Sequence, residues 1–328
     1  MSKYNITPFE RFPEWEKIIT ETREGGKDVY IVSDTETTGG TSSPGKTNSV
    51  FEKVDPKCRG KRHRILEIGA IFCTKNDKGE FEPIKDSNNE NIFFHEYINP
   101  FDEPEEKKKK INSIDYIPEG AFYVHGISKK SLYAKEKVSG EIMLKDKAPC
   151  MQDIVLDFIK LSTVEKDLEG SVFGVFHNVP FDFTFLDSEF ECCENEFGEP
   201  VQRFQDMFVP YDTINFFESV ISKDEVNELK EKAGIKKGRY GLDTLRGIFS
   251  NLGYIDESLD RSFHGAYKDS LILIEIYNGV QNYLADKERA TKKISFNKKK
   301  DFSEYSVPSF SLGESDDSLK NNRRFKKN

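Results

Sequence analysis

The interpretation of this chain depends on the stretch Val29-Tyr30-Ile31-Val32-Ser33-Asp34-Thr35-Glu36-Thr37-Thr38-Gly39. Its first residues are an apolar run, Val29 to Val32, which predicts a buried β-strand at about Val29–Ser33. Side chains alternate between the faces of a strand, so Asp34 and Glu36 project the same way at its end. Two carboxylates held that close repel each other, and a hard divalent cation between them relieves the repulsion. A lone pair of acids in this pattern is more often a solvated turn, so a metal site requires further ligands elsewhere in the chain.

The overall composition is that of a folded chain. With 328 residues the chain can form one large or two small domains, and 27 phenylalanines supply a core although 33% of the residues are charged. No apolar run approaches the roughly 20 residues that span a bilayer, and the N-terminus lacks the pattern of a signal peptide. The five cysteines show no C-x-x-C spacing and indicate neither a disulfide framework nor a zinc site. We therefore expect a soluble, cytoplasmic protein.

Charge is distributed unevenly along the chain. Residues 287–328 contain 12 Lys and Arg against 6 Asp and Glu, so removing their +6 from the net charge of −9 leaves −15 for the first 286 residues. A second basic block, residues 41–64, contains 7 Lys and Arg against 2 acids. An acidic body with basic appendages is compatible with an enzyme that acts on a polyanion, although solvated charged loops show the same pattern.

The pattern of residues predicts an α/β domain between two appendages. Residues 1–27 form an N-terminal extension with a short amphipathic helix, residues 28–286 the main domain with a basic insertion at 40–63, and residues 287–328 a basic, disordered tail. Three successive strands joined by turns predict a meander, at 29–33, 64–73 and 90–99. A further buried strand is predicted at 171–176, and helices at 150–161, 181–194, 211–231, 241–252 and 270–283. This order indicates a layered α/β or α+β architecture.

Two further patches can complete a metal site. His177-Asn-Val-Pro-Phe-Asp182 places an acid just after a buried strand, and His264-Gly-Ala-Tyr-Lys-Asp269 places a histidine and an acid at the start of the last helix. Each patch alone is more often structural, since an Asp at a helix start is usually a cap. Together with Asp34 and Glu36 they supply four carboxylates, enough to hold two Mg²⁺ or Mn²⁺ ions, and a histidine that can accept a proton near neutral pH.

The sequence resembles the DEDDh exonucleases, the family that includes the epsilon proofreading subunit of bacterial DNA polymerase III and ribonuclease T. Seven blocks occur in family order between residues 28 and 282, namely VSDTETTG (32–39), RILEIGAI (64–71), FYVHGIS (122–128), HNVPFDFTFL (177–186), YDT (211–213), GLDTL (241–245) and HGAYKD (264–269). The resemblance implies a ribonuclease H-like fold, with a mixed five-stranded sheet whose first three strands are antiparallel, flanked by helices.

The resemblance also implies roles for individual residues. It implies that Asp34, Glu36, Asp182 and Asp269 are metal-binding carboxylates for two Mg²⁺ or Mn²⁺ ions, and that His264 is the general base. It implies that the terminal nucleotide is contacted by Thr37 and Thr38, with His125 and Asn178 as weaker substrate contacts. The interpretation of His125 is evenly divided between a structural and a functional role, and the other three histidines are interpreted as structural, namely His63, His95 and His177.

The activity implied is 3′→5′ release of nucleoside monophosphates from DNA ends, in proofreading or repair. A ribonuclease T-like exoribonuclease is an alternative, which the longer connection carrying Lys75-Asn-Asp-Lys-Gly79 favours. A catalytically inactive nucleic-acid-binding or polymerase-associated scaffold is the alternative from another class. The implied partners are a nucleic acid 3′ end and, through the tail, a replication or repair protein, although the tail contains no convincing polymerase-binding motif.

Overall fold

The computed structural model of the protein describes residues 7–40, 61–138, 141–162, 168–256 and 264–286. Its centre is a six-stranded mixed sheet in the order β3-β2-β1-β7-β8, with β4 also paired to β2. The eight strands of the described residues are β1 (Val29–Thr37), β2 (Ile65–Lys75), β3 (Phe81–Pro83), β4 (Phe93–Tyr97), β5 (Tyr133–Val138), β6 (Glu141–Lys147), β7 (Val172–Phe176) and β8 (Val209–Asp212). Strands β5 and β6 form a separate two-stranded sheet.

The predicted antiparallel meander is confirmed, because β2 pairs antiparallel with both β1 and β4. Strands β7 and β8 then extend the sheet in parallel to β1. The predicted number of five strands is too low by one. The additional strand is β3, which pairs with Cys73–Lys75 at the end of β2, inside the segment interpreted as a turn-rich connection. Three residues are too few to show a period of two in the sequence.

Nine α-helices flank the sheet in the described residues. They are α1 (Phe12–Glu24), α2 (Glu105–Lys110), α3 (Glu119–His125), α4 (Met151–Ser162), α5 (Val179–Phe190), α6 (Thr213–Val220), α7 (Lys223–Lys232), α8 (Leu242–Asn251) and α9 (Ala266–Asp286). Single 3₁₀ turns occur at Phe9–Arg11, Pro100–Asp102, Lys129–Leu132 and Phe204–Asp206.

The single helix predicted at 211–231 is wrong. Its first residues belong to β8, and the remainder is divided between α6 and α7. The two helices have separate N-terminal caps, since the Asp212 side chain accepts a hydrogen bond from the Ile214 N–H and the Ser222 side chain accepts one from the Glu225 N–H. Both are strong N-cap residues, and these two signals in the sequence mark the true starts of the helices.

Two apolar layers cover the sheet, one on each face. Ile31 of β1 joins a core cluster with α1, α4 and α5, whereas its neighbours Tyr30 and Val32 join a second cluster with α6, α7, α8 and α9. This alternation follows from the period of two along a strand, and because both faces are buried β1 is apolar throughout its first half. Even-numbered positions of β1 therefore face α9, and odd-numbered positions face α5.

The appendages are described only in part. The predicted N-terminal extension contains α1, whose Phe12, Trp15 and Ile19 pack into the first core cluster. Most of the basic insertion and all of the tail, residues 41–60 and 287–328, lie outside the described residues. Among the residues that the structure does describe, no helix combines the length and apolarity that crossing a bilayer requires.

Candidate active site

A cavity of about 240 Å³ opens beside the last residues of β1. Asp34 and Glu36 line this cavity. They lie within β1, whereas the sequence predicted that the strand ends before them. The remaining lining residues come from segments far apart in the sequence and are Thr35, Thr37, Gly39, Gly40, Ala121, Val124, His125, His177, Phe181, Leu242, His264 and Asp269.

Three of the sequence-predicted residues cluster tightly. Glu36, His264 and Asp269 each offer one ligand atom, and these atoms all lie within 4.8 Å of one another. Nδ1 of His264 is 3.3 Å from Oδ2 of Asp269. The carboxylate residues are almost fully buried, Glu36 at 7% and Asp269 at 3% exposure. Buried carboxylates that converge in this way are costly without a compensating cation, so the donor set fits a divalent metal ion.

The start of α9 lies directly on β2, and this contact brings Asp269 to Glu36. Gly69 of β2 is the register partner of Asp34, and a Cβ atom at Gly69 would lie 2.1 Å from the backbone nitrogen of Tyr267. Ser270 donates a hydrogen bond to the Gly69 carbonyl at 3.1 Å. Only glycine permits this approach of two backbones. The glycine of the RILEIGAI block is therefore needed for assembly of the site.

His264 is fixed from a second direction. Its backbone N–H donates to the Val124 carbonyl of α3 at 3.2 Å. Because Val124 also lines the cavity, this bond joins two of its lining segments, α3 and the segment before α9.

Sequence reasoning missed Glu67. Glu67 and Glu36 are direct register partners on β2 and β1, so both side chains project from the same face. Oε1 of Glu67 is 2.8 Å from Nε2 of His95, and the His95 ring stacks on Tyr267 of α9. A Cβ atom at Gly265 would lie 3.8 Å from Glu67. The signal in the sequence is an acid inside an otherwise apolar strand, since such residues are rarely fully buried unless paired.

Asp182 is buried and is not a lining residue of the cavity. Its Oδ1 accepts hydrogen bonds from the backbone N–H of Thr35 at 3.1 Å and from its hydroxyl at 2.7 Å. Thr35 lines the cavity, so these bonds tie Asp182 to the strand that carries Asp34 and Glu36. Burial raises the pKa of Asp182 to about 7, the Thr35 bonds oppose that rise, and the Asp212 carboxylate adds to it. Binding of a metal by Asp182 remains a prediction.

His125 is the best placed of the predicted substrate contacts. It lines the cavity, and its Nδ1 accepts a hydrogen bond from the Ile127 N–H at 2.9 Å. Its neutral tautomer therefore carries the proton on Nε2. Burial lowers the pKa of His125 to about 4, the nearby Thr37 backbone opposes this, and His264 contributes to the lowering. His125 thus offers a neutral N–H donor near neutral pH.

The other predicted contacts are placed differently. Thr37 lines the cavity, although its hydroxyl donates to the Gly39 carbonyl at 2.7 Å. Thr38 is fully buried outside the cavity, where its hydroxyl accepts from the Arg64 N–H and lies 3.1 Å from Nδ1 of His63. Asn178 is an exposed residue in the left-handed region at the start of α5, also outside the cavity. The Thr38 hydroxyl is thus engaged by the fold, and contact of a nucleotide with Thr38 or Asn178 remains a prediction.

The cavity also has an apolar wall that the motifs did not single out. It is formed by Ala121, Val124, Phe181 and Leu242. His177, interpreted as structural, lines the cavity too, with Nδ1 at 3.0 Å from the Thr213 hydroxyl. All of these residues except Ala121 belong to the motif blocks, but their grouping depends on how the elements pack.

Comparison with known proteins gives relatives of a single kind. No family model matches the chain. Epsilon subunits of DNA polymerase III from Rickettsia typhi and Rickettsia prowazekii are each 29% identical over 248 residues, which is 75% of this chain and 71% of theirs. The epsilon subunit of Rickettsia felis is 28% identical over 247 residues, with the same coverage.

Solved structures show a weaker likeness. Exonuclease I of E. coli in complex with a dT13 oligonucleotide has a TM-score of 0.45 and 13% identity, over 80% of this chain and 43% of that chain. Pop2p of S. pombe, in a form with Mg²⁺ and Mn²⁺ bound, has a TM-score of 0.38 and 13% identity, over 85% of this chain and 92% of that chain. At these scores neither structure adds to the evidence from sequence. The resemblance predicted from the motif blocks is confirmed by the curated relatives: this chain is related to the epsilon subunits of DNA polymerase III and resembles the DEDDh-type exonucleases.

Proposed function

We propose that this chain is a metal-dependent 3′→5′ exonuclease that releases nucleoside monophosphates from DNA 3′ ends, in proofreading or repair. The observation that carries the proposal is the convergence of Glu36, His264 and Asp269 within 4.8 Å in a cavity that Asp34 also lines. The relationship to epsilon subunits supports the exonuclease class.

Glu36, Asp269 and Asp34 are the residues that would hold divalent cations, two Mg²⁺ or Mn²⁺ by resemblance to the family. Bound at these carboxylates, such ions supply Lewis-acid stabilisation of phosphoryl charge and lower the pKa of water. The carboxylates are anchored on β1 and α9, two long elements that pack together, so their positions are fixed before substrate binds.

His264 is assigned as the general base. Its Nδ1 faces the Asp269 carboxylate, which orients the ring and leaves Nε2 to accept the proton of the attacking water. Ala121, Val124, Phe181 and Leu242 give the nucleotide an apolar wall that excludes competing water. The Nε2–H group of His125 would donate a hydrogen bond to an acceptor on the substrate.

The test of the function is release of nucleotides from a labelled DNA strand in Mg²⁺ or Mn²⁺, for wild type and Asp34→Ala. We expect stepwise shortening from the 3′ end by the wild type only. Equal release by Asp34→Ala would contradict the site assignment, and absence of metal-dependent release by the wild type would favour an inactive binding or scaffold protein.

DNA is assigned as the substrate from the kind of relative. The connection Lys75–Gly79, which favoured an RNA substrate, lies at the end of β2 remote from Glu67 and gives no contact with the cavity. Matched DNA and RNA strands decide this point, because faster digestion of RNA would contradict the assignment. Cytoplasmic location and association with a replication or repair protein through residues 287–328 remain predictions, and a pull-down with and without the tail tests the association.

A further inference from the structure

A short loop with three exposed cations lies just before Leu242 of the cavity wall in the sequence. We call residues 236–240 the basic loop, which consists of Lys236, Lys237, Gly238, Arg239 and Tyr240. It leads directly to the N-cap Gly241 and to Leu242, the first residue of α8 and part of the cavity wall. Lys236, Lys237 and Arg239 are all exposed. The cations therefore lie within a few residues of the site along the chain.

The basic loop has a fixed conformation. Gly238 has a φ of +82°, in the left-handed region, and a Cβ atom there would lie 2.0 Å from Oγ1 of Thr244. Thr244 donates to the Lys237 carbonyl at 3.4 Å, and the buried Tyr240 donates through its hydroxyl to the Ile221 carbonyl at 2.8 Å. The backbone is thus held to α8 on one side and to the end of α6 on the other, while the charged side chains extend into solvent.

Within the residues that the structure describes, the fold does not pair these cations. None of Lys236, Lys237 and Arg239 forms a salt bridge with an acidic residue in the described part of the chain. By contrast, Lys107 and Lys108 of α2 are paired with Glu103 and Glu105. In a protein of net charge −9 whose cavity is lined by carboxylates, exposed cations that shortly precede a residue of the cavity wall, and that no acid of the described residues pairs, provide what a polyanion needs to approach.

We propose that the basic loop binds the phosphodiester backbone of the substrate strand, upstream of the nucleotide held in the cavity. This inference rests on the proposed function and extends it by naming the residues that hold the strand. Contacts with phosphates are independent of base sequence, so the loop would retain the strand while successive nucleotides are removed.

The test compares two substrates of different length. One is a labelled oligothymidylate, and the other is the p-nitrophenyl ester of thymidine 5′-monophosphate, which has no upstream phosphate. The variant is K236A/K237A/R239A, and the matched control is K17A/K78A/K85A, which removes three exposed lysines from α1 and from the turns around β3. Melting temperatures confirm that both variants are folded.

We expect the ratio of oligonucleotide to ester kcat/KM to fall about tenfold or more in the loop variant and to stay unchanged in the control. Oligonucleotide binding is measured in Ca²⁺ at about 50 and about 200 mM salt. The affinity of the wild type falls between these two salt concentrations, and loss of three phosphate contacts should make this fall about 20-fold smaller in the loop variant. An unchanged ratio with an unchanged salt dependence would overturn the proposal. If the wild type hydrolyses neither substrate, the proposed function fails, and the salt dependence of binding still decides the role of the loop.

Discussion

Glu36 and Glu67 lie directly opposite each other on adjacent strands, both nearly buried and both facing α9. Like charges at opposed positions of an antiparallel pair are destabilising. Oε1 of Glu67 contacts His95, whereas Glu36 lies with His264 and Asp269 in the potential metal cluster. The two opposed glutamates and Asp269 thus concentrate negative charge at this point of the sheet, which favours a bound divalent cation.

Glu67→Gln tests this relationship. Because Gln keeps the shape and removes one negative charge, we expect the affinity for Mn²⁺ to fall about tenfold, or ~1.4 kcal/mol. The measurement is titration calorimetry with Mn²⁺, and without metal the variant should melt no lower than wild type. Glu96→Gln is the matched control, since Glu96 is a buried acid on the neighbouring strand β4 that faces the other side of the sheet. Equal Mn²⁺ affinity in wild type and Glu67→Gln would refute the electrostatic role.

Gly69→Ala should disrupt the packing of α9 against β2. The added Cβ would meet the backbone of Tyr267 and Ala266, which cannot move aside as a flexible side chain can. We expect a loss of stability of about 3 kcal/mol or more in urea unfolding, together with loss of nuclease activity. Gly25→Ala is the control, because its nearest neighbours would lie at an ordinary 3.4 Å. A fully active and stable Gly69→Ala protein would show that the approach of α9 to β2 is looser than described.

Asp182 should make the metal-free protein less stable at alkaline pH. Its pKa is raised in the folded state to about 7, so the protonated carboxyl is favoured there and the stabilisation is lost as the pH rises from about 4 through 7. Asp182→Asn stays neutral and can still accept the Thr35 hydrogen bonds. In EDTA, we expect Asp182→Asn to gain stability relative to wild type between pH 5 and pH 8, as measured by urea unfolding. If the unfolding free energies of the two proteins change with pH in parallel, the pKa of the Asp182 carboxyl is not raised in the folded state.

His264→Ala separates proton transfer from metal binding. If His264 acts as the base, the variant should retain Mn²⁺ binding through Glu36 and Asp269 while turnover falls by about 10² to 10⁴. Calorimetry and the p-nitrophenyl ester assay measure the two properties separately. Turnover that is unaltered near neutral pH would exclude the role of base, and loss of Mn²⁺ binding would instead identify the ring as a metal ligand.

The sequence predicted the positions of the site residues better than their grouping. Asp34, Glu36, His264 and Asp269 could be found because each belongs to a motif block, and the structure brings them to one cavity. Glu67 could not be found in this way, because its relation to Glu36 depends on the register between two strands, which a single sequence does not reveal.

The remaining differences have similar physical causes. The burial of Thr38 could not be predicted, because a hydroxyl can be buried wherever the backbone offers it a partner, and here the Arg64 N–H does so. Strand β8 was missed because its four residues include Pro210 and lead directly into a helix, which hides the period of two. Both features depend on contacts between residues far apart in the sequence.

The close contact between α9 and β2 has a consequence for the newly made chain. Synthesis proceeds from the N-terminus, so every described strand of the sheet leaves the ribosome before His264 and Asp269 do. Until α9 reaches Gly69, the nascent protein holds Asp34 and Glu36 without the other half of the cluster. Nuclease activity would then be withheld from incomplete chains, and any cut upstream of α9 would yield a fragment unable to attack nucleic acid.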